Sequence, residues 1–233
     1  MNIYVYQTDT RPNLDYLQLT MNLNKEYCKE LGYKYIFEKM IIKGKYFPNL
    51  YKIMMVKQLL DRLDNGIVIF LDADAWIYNP NIINKLINDL PDNKQGMFSR
   101  DPYLIKNTYI NSGSFIIRIN DYTKKMYSLL EKQAIDKPRW KKPTDQFYVS
   151  NFVFENKDDF IIYKPDLLNS SIGKGLRHCW GKNFSTCLIN HYKDNDTVDE
   201  TGKTIKNNEI NVENYIDDKS YPNTSNEYEY KHP

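Results

Sequence analysis

The sequence has 233 residues, 41% of them hydrophobic and 27% charged, with a formal net charge of +2. That length and apolar content suit one substantial core, in one domain or two tightly merged halves. The near-neutral balance, with Lys and Arg spread along the chain, excludes the strong field that nucleic acid or a membrane surface would call for. Cys28, Cys179 and Cys187 show no repeated spacing and no Cys-x-x-Cys pair. Their odd count argues against a disulfide framework and for a reducing compartment. The opening "MNIYVYQTDT" has too short an apolar run for a signal peptide, and no segment approaches the ~18 apolar residues of a membrane span.

Residues 2–7 alternate and are rich in β-formers, which predicts a first strand. Leu14, Leu17, Met21, Cys28 and Leu31 then recur at helical spacing, with Gly32 placed to cap the helix end. A second strand follows at 33–38. A second helical stripe runs through Leu50, Ile53, Val56, Leu60 and Leu63 and closes at Asn65-Gly66. "IVIFLD" (67–72) is too continuous for a half-exposed strand and reads as a central strand covered on both faces. Further on, the pattern predicts a helix at 80–89, strands at 95–99 and 109–119, helices at 121–134 and 144–153, and strands at 159–164 and 185–192. The stretch from 193 onward is polar and reads as an extension or tail. Strand and helix alternate from the start, the signature of an α/β layer with a largely parallel sheet. Ligands of such sheets bind beyond the carboxyl ends of the strands.

Asp72 and Asp74 stand at that end of the most buried strand, in "IVIFLDADAW". Two carboxylates one residue apart repel each other and resist burial without a partner, so a bend in the chain is expected there. A divalent cation is the partner that fits. Mg²⁺ and Mn²⁺ take oxygen ligands, typically one or two carboxylates, and fill their remaining positions with water and substrate phosphates. The pair therefore points to a metal–diphosphate site, against the plain alternative of a solvated strand end.

"VIFLDADAWIYNP" resembles the Asp-x-Asp segment of GT-A-fold, nucleotide-sugar-dependent glycosyltransferases of galactosyl-, xylosyl- and mannosyltransferase-like type. "NKEYCKELGYKY" (24–35), "YINSGSFIIRIN" (109–120), "TDQFYVSNF" (144–152) and a late His in "CLINHY" are similar to further segments of that family, in the same order. The resemblance covers about residues 1–192. It implies a Rossmann-like three-layer α/β/α sandwich with a mixed, mostly parallel central sheet. It also implies a nucleotide-binding half (1–98), an acceptor and sugar half (99–192) and a polar extension (193–233). The implied activity is sugar transfer from a nucleotide diphosphate donor, UDP-linked or GDP-linked, to a glycan or other hydroxyl acceptor. The implied cofactor is Mn²⁺ or Mg²⁺.

Carried residue by residue, the resemblance makes Asp74 a direct metal ligand and has Asp72 contact metal or ribose. It makes His191 the third ligand, with His178 as the alternative because "HCWGK" (178–182) carries the Gly and Lys that the family often places after this His. Lys193 or Lys182 would neutralise diphosphate charge. Thr8 and Asp9, at the end of the first strand, would bind base and ribose. Asn111 would line the donor-sugar pocket and Arg100 would contact the sugar. By residue type alone, Gly113 inside a strand marks either the close backbone approach of a ligand or a β-bulge. Asp145 and Gln146 would lie against the sugar near the anomeric carbon, and the amide favours transfer with retention. Their ordinary reading is a helix start that welcomes an acidic side chain. Lys52, on the second helix, could reach a phosphate but reads first as solvated surface, and Tyr16 and Tyr33 read equally as packing residues. Lys45, Tyr46, Trp140 and Trp180 suit acceptor loops. The setting implied is a bacterial or viral cytoplasmic enzyme, or an excised catalytic domain. Two other readings fit the Asp pair. One is a haloacid-dehalogenase-like phosphatase with Asp72 as nucleophile, which Trp76 disfavours. The other is a non-catalytic carbohydrate-binding module.

Overall fold

The structure is a computed structural model that describes residues 1–42, 48–101, 110–136, 144–179 and 212–217. Strands β1 (Ile3–Asp9), β2 (Lys34–Lys39), β3 (Gly66–Leu71), β5 (Gly96–Arg100), β6 (Ile110–Ile119) and β7 (Phe160–Tyr163) form one sheet in the order β2-β1-β3-β6-β5-β7. β1 is parallel to β2 and β3, and β5 is parallel to β7, while β6 runs antiparallel to both its neighbours. The sheet is thus mixed and mostly parallel. Reversal of β6 matters for the site: its first residues, not its last, lie at the edge where β1 and β3 end.

Alternation along the strands feeds two cores. Tyr4, Tyr6, Val68, Phe70, Phe98 and Phe115 face one layer, built on α2 (Pro48–Arg62), α4 (Asp121–Asp136) and α5 (Asp145–Glu155). Val5, Ile67, Ile69, Leu71, Met97 and Ile116 face the other, built on α1 (Asp15–Leu31), α3 (Pro80–Asn88) and α6 (Pro165–Leu168). Both faces of β3 are covered, which is why its five apolar residues run without a break. Phe70 and Phe115 stack across β3 and β6 with ring centroids 4.8 Å apart.

Helix ends follow local chemistry. Gly32 terminates α1 in the left-handed region at φ 69°, where a side chain would be strained. Asn79 caps α3 by accepting from the backbone N–H groups of Asn81 and Ile82, and Pro80 follows at the first helical position.

Two short elements are not predicted by the periodicity: β4 (Ala75–Ile77) and β8 (Leu176–His178), which pair antiparallel as a separate ribbon. At three residues each, neither is long enough to show an alternation. The expected strand at 185–192 lies outside the described residues. Residues 212–217, within the stretch read as a tail, pack along β7: the Lys164 N–H donates to the Tyr215 carbonyl, and the Asp217 N–H to the Ile162 carbonyl.

The cysteines depart from expectation. Cys28 is a buried free thiol, whose protonated form burial favours up to about 12. Cys179, however, is disulfide-bonded, with its partner outside the described residues. An odd count can hold one pair and one buried thiol, so it does not argue against a bridge, and the compartment argument built on it falls away. No helix among the described residues is long and apolar enough to cross a membrane.

Candidate active site

The chain does bend at the carboxylate pair. After β3 the backbone turns through Asp72-Ala73-Asp74, closed by a 3.0 Å bond from the Ala75 N–H to the Asp72 carbonyl, and enters β4. Buried polar side chains from β1 and α1 hold this turn. Gln7 Nε2 donates to the Asp72 carbonyl at 2.9 Å, Thr20 Oγ1 to the Ala73 carbonyl at 2.7 Å, and Asn24 Nδ2 to the Ala75 carbonyl at 3.2 Å. Asn24 Oδ1 also accepts from the Ile77 N–H, at 2.9 Å. All three side chains are fully buried. A buried turn has carbonyls that must find donors, and these three supply them. Ala73 packs on Leu17 and Met21.

The ribbon of β4 and β8 brings in a histidine. Ala75 pairs with His178, and the Cys179 N–H donates to the Asp74 carbonyl at 3.1 Å. His178 Nε2 then stands 3.1 Å from Asp74 Oδ1 and 3.9 Å from Asp72 Oδ2. One ligand atom from each of Asp72, Asp74 and His178 lies within 4.8 Å of the others. His178, the alternative of the two histidines, is the one seen beside the aspartates; His191, Lys193 and Lys182 lie outside the described residues, as do Lys45, Tyr46, Trp140 and Trp180.

Gly113 makes room for this histidine. The Asp72 N–H donates to the Gly113 carbonyl at 2.7 Å, so β6 passes directly beside the turn. A Cβ on Gly113 would overlap the imidazole, with Nδ1 at 2.5 Å and Nε2 at 2.9 Å. The close approach expected at Gly113 is that of the His178 ring. Gly113→Ala is expected to displace the ring and weaken divalent-metal binding about 10–100-fold. Overpacking would also lower stability by about 1–3 kcal/mol. Isothermal titration with Mn²⁺ beside thermal unfolding checks both.

Lys52, read from sequence first as solvated surface, is a half-buried bridge. Its Nζ lies 2.8 Å from Asp72 Oδ1, 3.0 Å from Asp72 Oδ2 and 3.1 Å from Asp145 Oδ2, with the side chain 16% exposed. It reaches the site from α2 with its ammonium over the ring of Phe70, 5.6 Å from the centroid. Asp145 in turn accepts from Ser112 Oγ at 2.7 Å. Thr144 makes no side-chain cap bond on α5, and the Asp145 carboxylate is spent on Lys52 and Ser112. A favourable helix start is therefore not a sufficient account of Asp145.

Three carboxylates share this space with one ammonium, which leaves two negative charges, the charge of a divalent cation. Burial alone would push the Lys52 ammonium down, yet Asp145 and Asp72 overcome it and hold the group above its ordinary value. Burial lifts the Asp72 carboxyl above the usual range; Lys52 and His178 pull it back, and Asp74 and Asp145 add to the rise. Metal binding needs the ionised carboxylate. Affinity should therefore fall as pH drops through the raised Asp72 value, at a higher pH than an ordinary aspartate would set. Mn²⁺ titrations at about pH 8 and about pH 5 check this, with proton release on binding in the acidic range.

Asp101, Asn111 and Gln146 form a second polar group at the same edge. Gln146 Nε2 donates to Asp101 Oδ2 at 2.6 Å, Asn111 Nδ2 donates to the same oxygen at 3.4 Å, and Asn111 Oδ1 accepts from the Gly113 N–H at 2.8 Å. Arg100 Nε faces Asp217 Oδ2 at 3.4 Å, against the C-terminal segment. At the end of β1, Thr8 Oγ1 donates to the Glu38 carbonyl at 2.8 Å. Asp9 accepts from the Arg11 N–H at 2.7 Å and from Arg11 Nε at 3.1 Å. A cavity of about 460 Å³ opens here. Thr8, Asp9, Arg11 and Tyr16 line it on one side, and Lys52, Asp72 and Asp74 on the other.

No protein-family model matches the sequence, and no curated protein matches it. Solved structures do. One is a glycosyltransferase involved in the glycosylation of the major capsid of PBCV-1, with a TM-score of 0.67 and 16% identity over 83% of this chain and 100% of that chain. A second is the apo-form glycosyltransferase GlyE of Streptococcus pneumoniae TIGR4, at a TM-score of 0.48 and 13% identity over 71% and 45% of the two chains. A third is the catalytic domain of Drosophila beta1,4-galactosyltransferase 7 in complex with xylobiose, at 0.47 and 11% over 78% and 72%. Of the three, the first carries weight, and what it shows is the fold: this chain has the fold of a glycosyltransferase.

Proposed function

We propose that the protein is a metal-dependent glycosyltransferase that moves a sugar from a nucleotide diphosphate donor, UDP-linked in the first instance, to a hydroxyl acceptor. The observation that carries this is the convergence of Asp72, Asp74 and His178 beside a cavity that also holds Thr8 and Asp9. A metal held at the end of β3 and a nucleoside seated at the end of β1, the parallel strand beside it, would suit the two ends of a nucleoside diphosphate. The fold shared with the capsid glycosyltransferase supports the same reading.

In this reading Asp74 and His178 are ligands, and Asp72, already gripped by Lys52, divides its oxygens between the ammonium and the metal. His178 takes the histidine position for which the resemblance offered His191 first; His191 lies outside the described residues. When bound, Mn²⁺ or Mg²⁺ supplies the charge that stabilises the departing diphosphate. The chain's own residues do the rest. Thr8 and Asp9 hold base and ribose, and Asn111 and Arg100 line the sugar. Lys193 offsets phosphate charge. Asp145 and Gln146 lie toward the anomeric carbon; Asp145, locked by Lys52 and Ser112, is a poorly placed base for an attacking hydroxyl, which favours retention. Residues 1–98 supply the nucleotide half and 99–192 the sugar and acceptor half, with the remainder an extension. A cytoplasmic bacterial or viral enzyme, or an excised domain, is the setting proposed.

The test is a panel of UDP- and GDP-sugars incubated with Mn²⁺. Slow release of the nucleoside diphosphate from one donor is expected, with no release in EDTA. Release of inorganic phosphate from a phosphomonoester would overturn this reading for the phosphatase. Binding of a glycan without any nucleotide binding would overturn it for the carbohydrate-binding module.

A further inference from the structure

We propose that Asn169 is a positioning residue whose side-chain carbonyl selects the tautomer of His178 that presents Nε2 to a metal. The inference rests on the metal-site reading given above. Asn169 follows the short helix α6 and is fully buried. Its Oδ1 lies 2.7 Å from His178 Nδ1 and 3.1 Å from Ser114 Oγ, and Ser114 also bonds the Leu168 carbonyl at 2.5 Å. The other ring nitrogen, Nε2, faces Asp74 and Asp72.

A neutral imidazole carries one N–H, so the group that faces Nδ1 decides what Nε2 can be. A carbonyl oxygen at Nδ1 demands a proton there and leaves a lone pair on Nε2, aimed among two carboxylates. That arrangement is repulsive unless a cation lies between them. The opposite setting of the amide has the opposite consequence. Asn169 Nδ2 would then donate to Nδ1, and Nε2 would become an N–H donor to Asp74, which removes it as a ligand. In the observed setting Asn169 Nδ2 is buried and has no partner among the described residues, a cost that the opposite setting would relieve. The observed setting is favoured once a cation meets the Nε2 lone pair. The imidazole itself has little freedom, because it is seated on Gly113. The amide is thus the adjustable element of the pair, and the assignment of its two ends is the point on which ligation turns.

Only three histidines occur in the sequence, so long-range ¹H–¹⁵N correlation resolves their tautomers directly. At about pH 8.5, where an ordinary imidazole is neutral, and with saturating diamagnetic Mg²⁺, wild-type His178 is expected to carry its proton on Nδ1 and to show an unprotonated, metal-shifted Nε2 signal. In Asn169→Ala the tautomers should mix or shift to Nε2–H, and Mn²⁺ affinity by calorimetry should fall about 10–100-fold. Asn169→Asp, which keeps size and an acceptor oxygen, should restore Nδ1–H and hold affinity within a few-fold. A wild-type His178 still protonated on Nε2 when Mg²⁺ is bound overturns the proposal without any variant, which covers the case in which Asn169→Ala fails to fold. Unchanged tautomer and affinity in Asn169→Ala overturn the role of Asn169 alone. A wild type with Nδ1–H that binds no Mn²⁺ overturns the metal reading, and the purpose assigned to Asn169 with it.

Discussion

Asp74→Ala should abolish Mn²⁺-dependent nucleotide-sugar turnover, a loss of at least two orders of magnitude, while the fold stays intact. Asp74 sits on a turn whose backbone, not whose carboxylate, carries the structural bonds: Gln7 and Thr20 hold the carbonyls of Asp72 and Ala73, and the Asp74 carbonyl accepts from Cys179. Its carboxylate meets His178 Nε2 at 3.1 Å. Removing it takes one anionic ligand from a site that offers three, and metal stabilisation of the leaving diphosphate is worth several kcal/mol. Thermal unfolding of the metal-free variant should stay within a few degrees of wild type, which separates a lost ligand from a lost fold.

Lys52→Met carries the largest expected effect on stability. The substitution keeps the chain length and removes the charge between Asp72 and Asp145. Asp145 is buried but Asp72 is partly exposed to the cavity, so leaving these carboxylates without the ammonium costs about 2–4 kcal/mol. At this chain length that corresponds to a fall in Tm of roughly 4–16 °C. The deficit should shrink when Mn²⁺ is added, since the cation then supplies charge to the same carboxylates and binding to the native state alone stabilises it. Lys52→Arg should retain part of the bridge but not its geometry. A Tm in Lys52→Met equal to wild type in EDTA would show that the ammonium contributes nothing to holding the two carboxylates.

Much of the frame was legible in the residues. The alternation of strand and helix, the buried β3 and the bend at Asp72-Ala73-Asp74 follow from apolar runs and from the repulsion of adjacent carboxylates. What periodicity does not carry is direction and distance. Nothing in "YINSGSFIIRI" says that β6 runs against its neighbours, yet that reversal puts Asn111, Ser112 and Gly113 at the site edge. His178 arrives on a three-residue strand whose partner lies about a hundred residues earlier, too short to show a pattern, whereas the longer apolar run before His191 does show one. The Gly and Lys of "HCWGK" were the available signal for His178. Lys52 lies on a helix face whose neighbours are apolar, and a lone Lys there reads as surface until the two aspartates that neutralise it are folded against it. Gln7, Thr20 and Asn24 look like ordinary polar residues in sequence. Their role as donors to a buried turn exists only once that turn is packed against α1.

If Asp72, Asp74 and His178 hold a divalent cation beside a nucleoside diphosphate, UDP binding must depend on that cation. Calorimetric titration of UDP into the protein, in EDTA and in Mn²⁺, measures this dependence. Binding is expected to be at least about tenfold tighter with Mn²⁺, about 1.4 kcal/mol or more, with that gain lost in both Asp74→Ala and His178→Ala. Equal UDP binding in EDTA and Mn²⁺, or a metal-dependent gain that survives both substitutions, would contradict it.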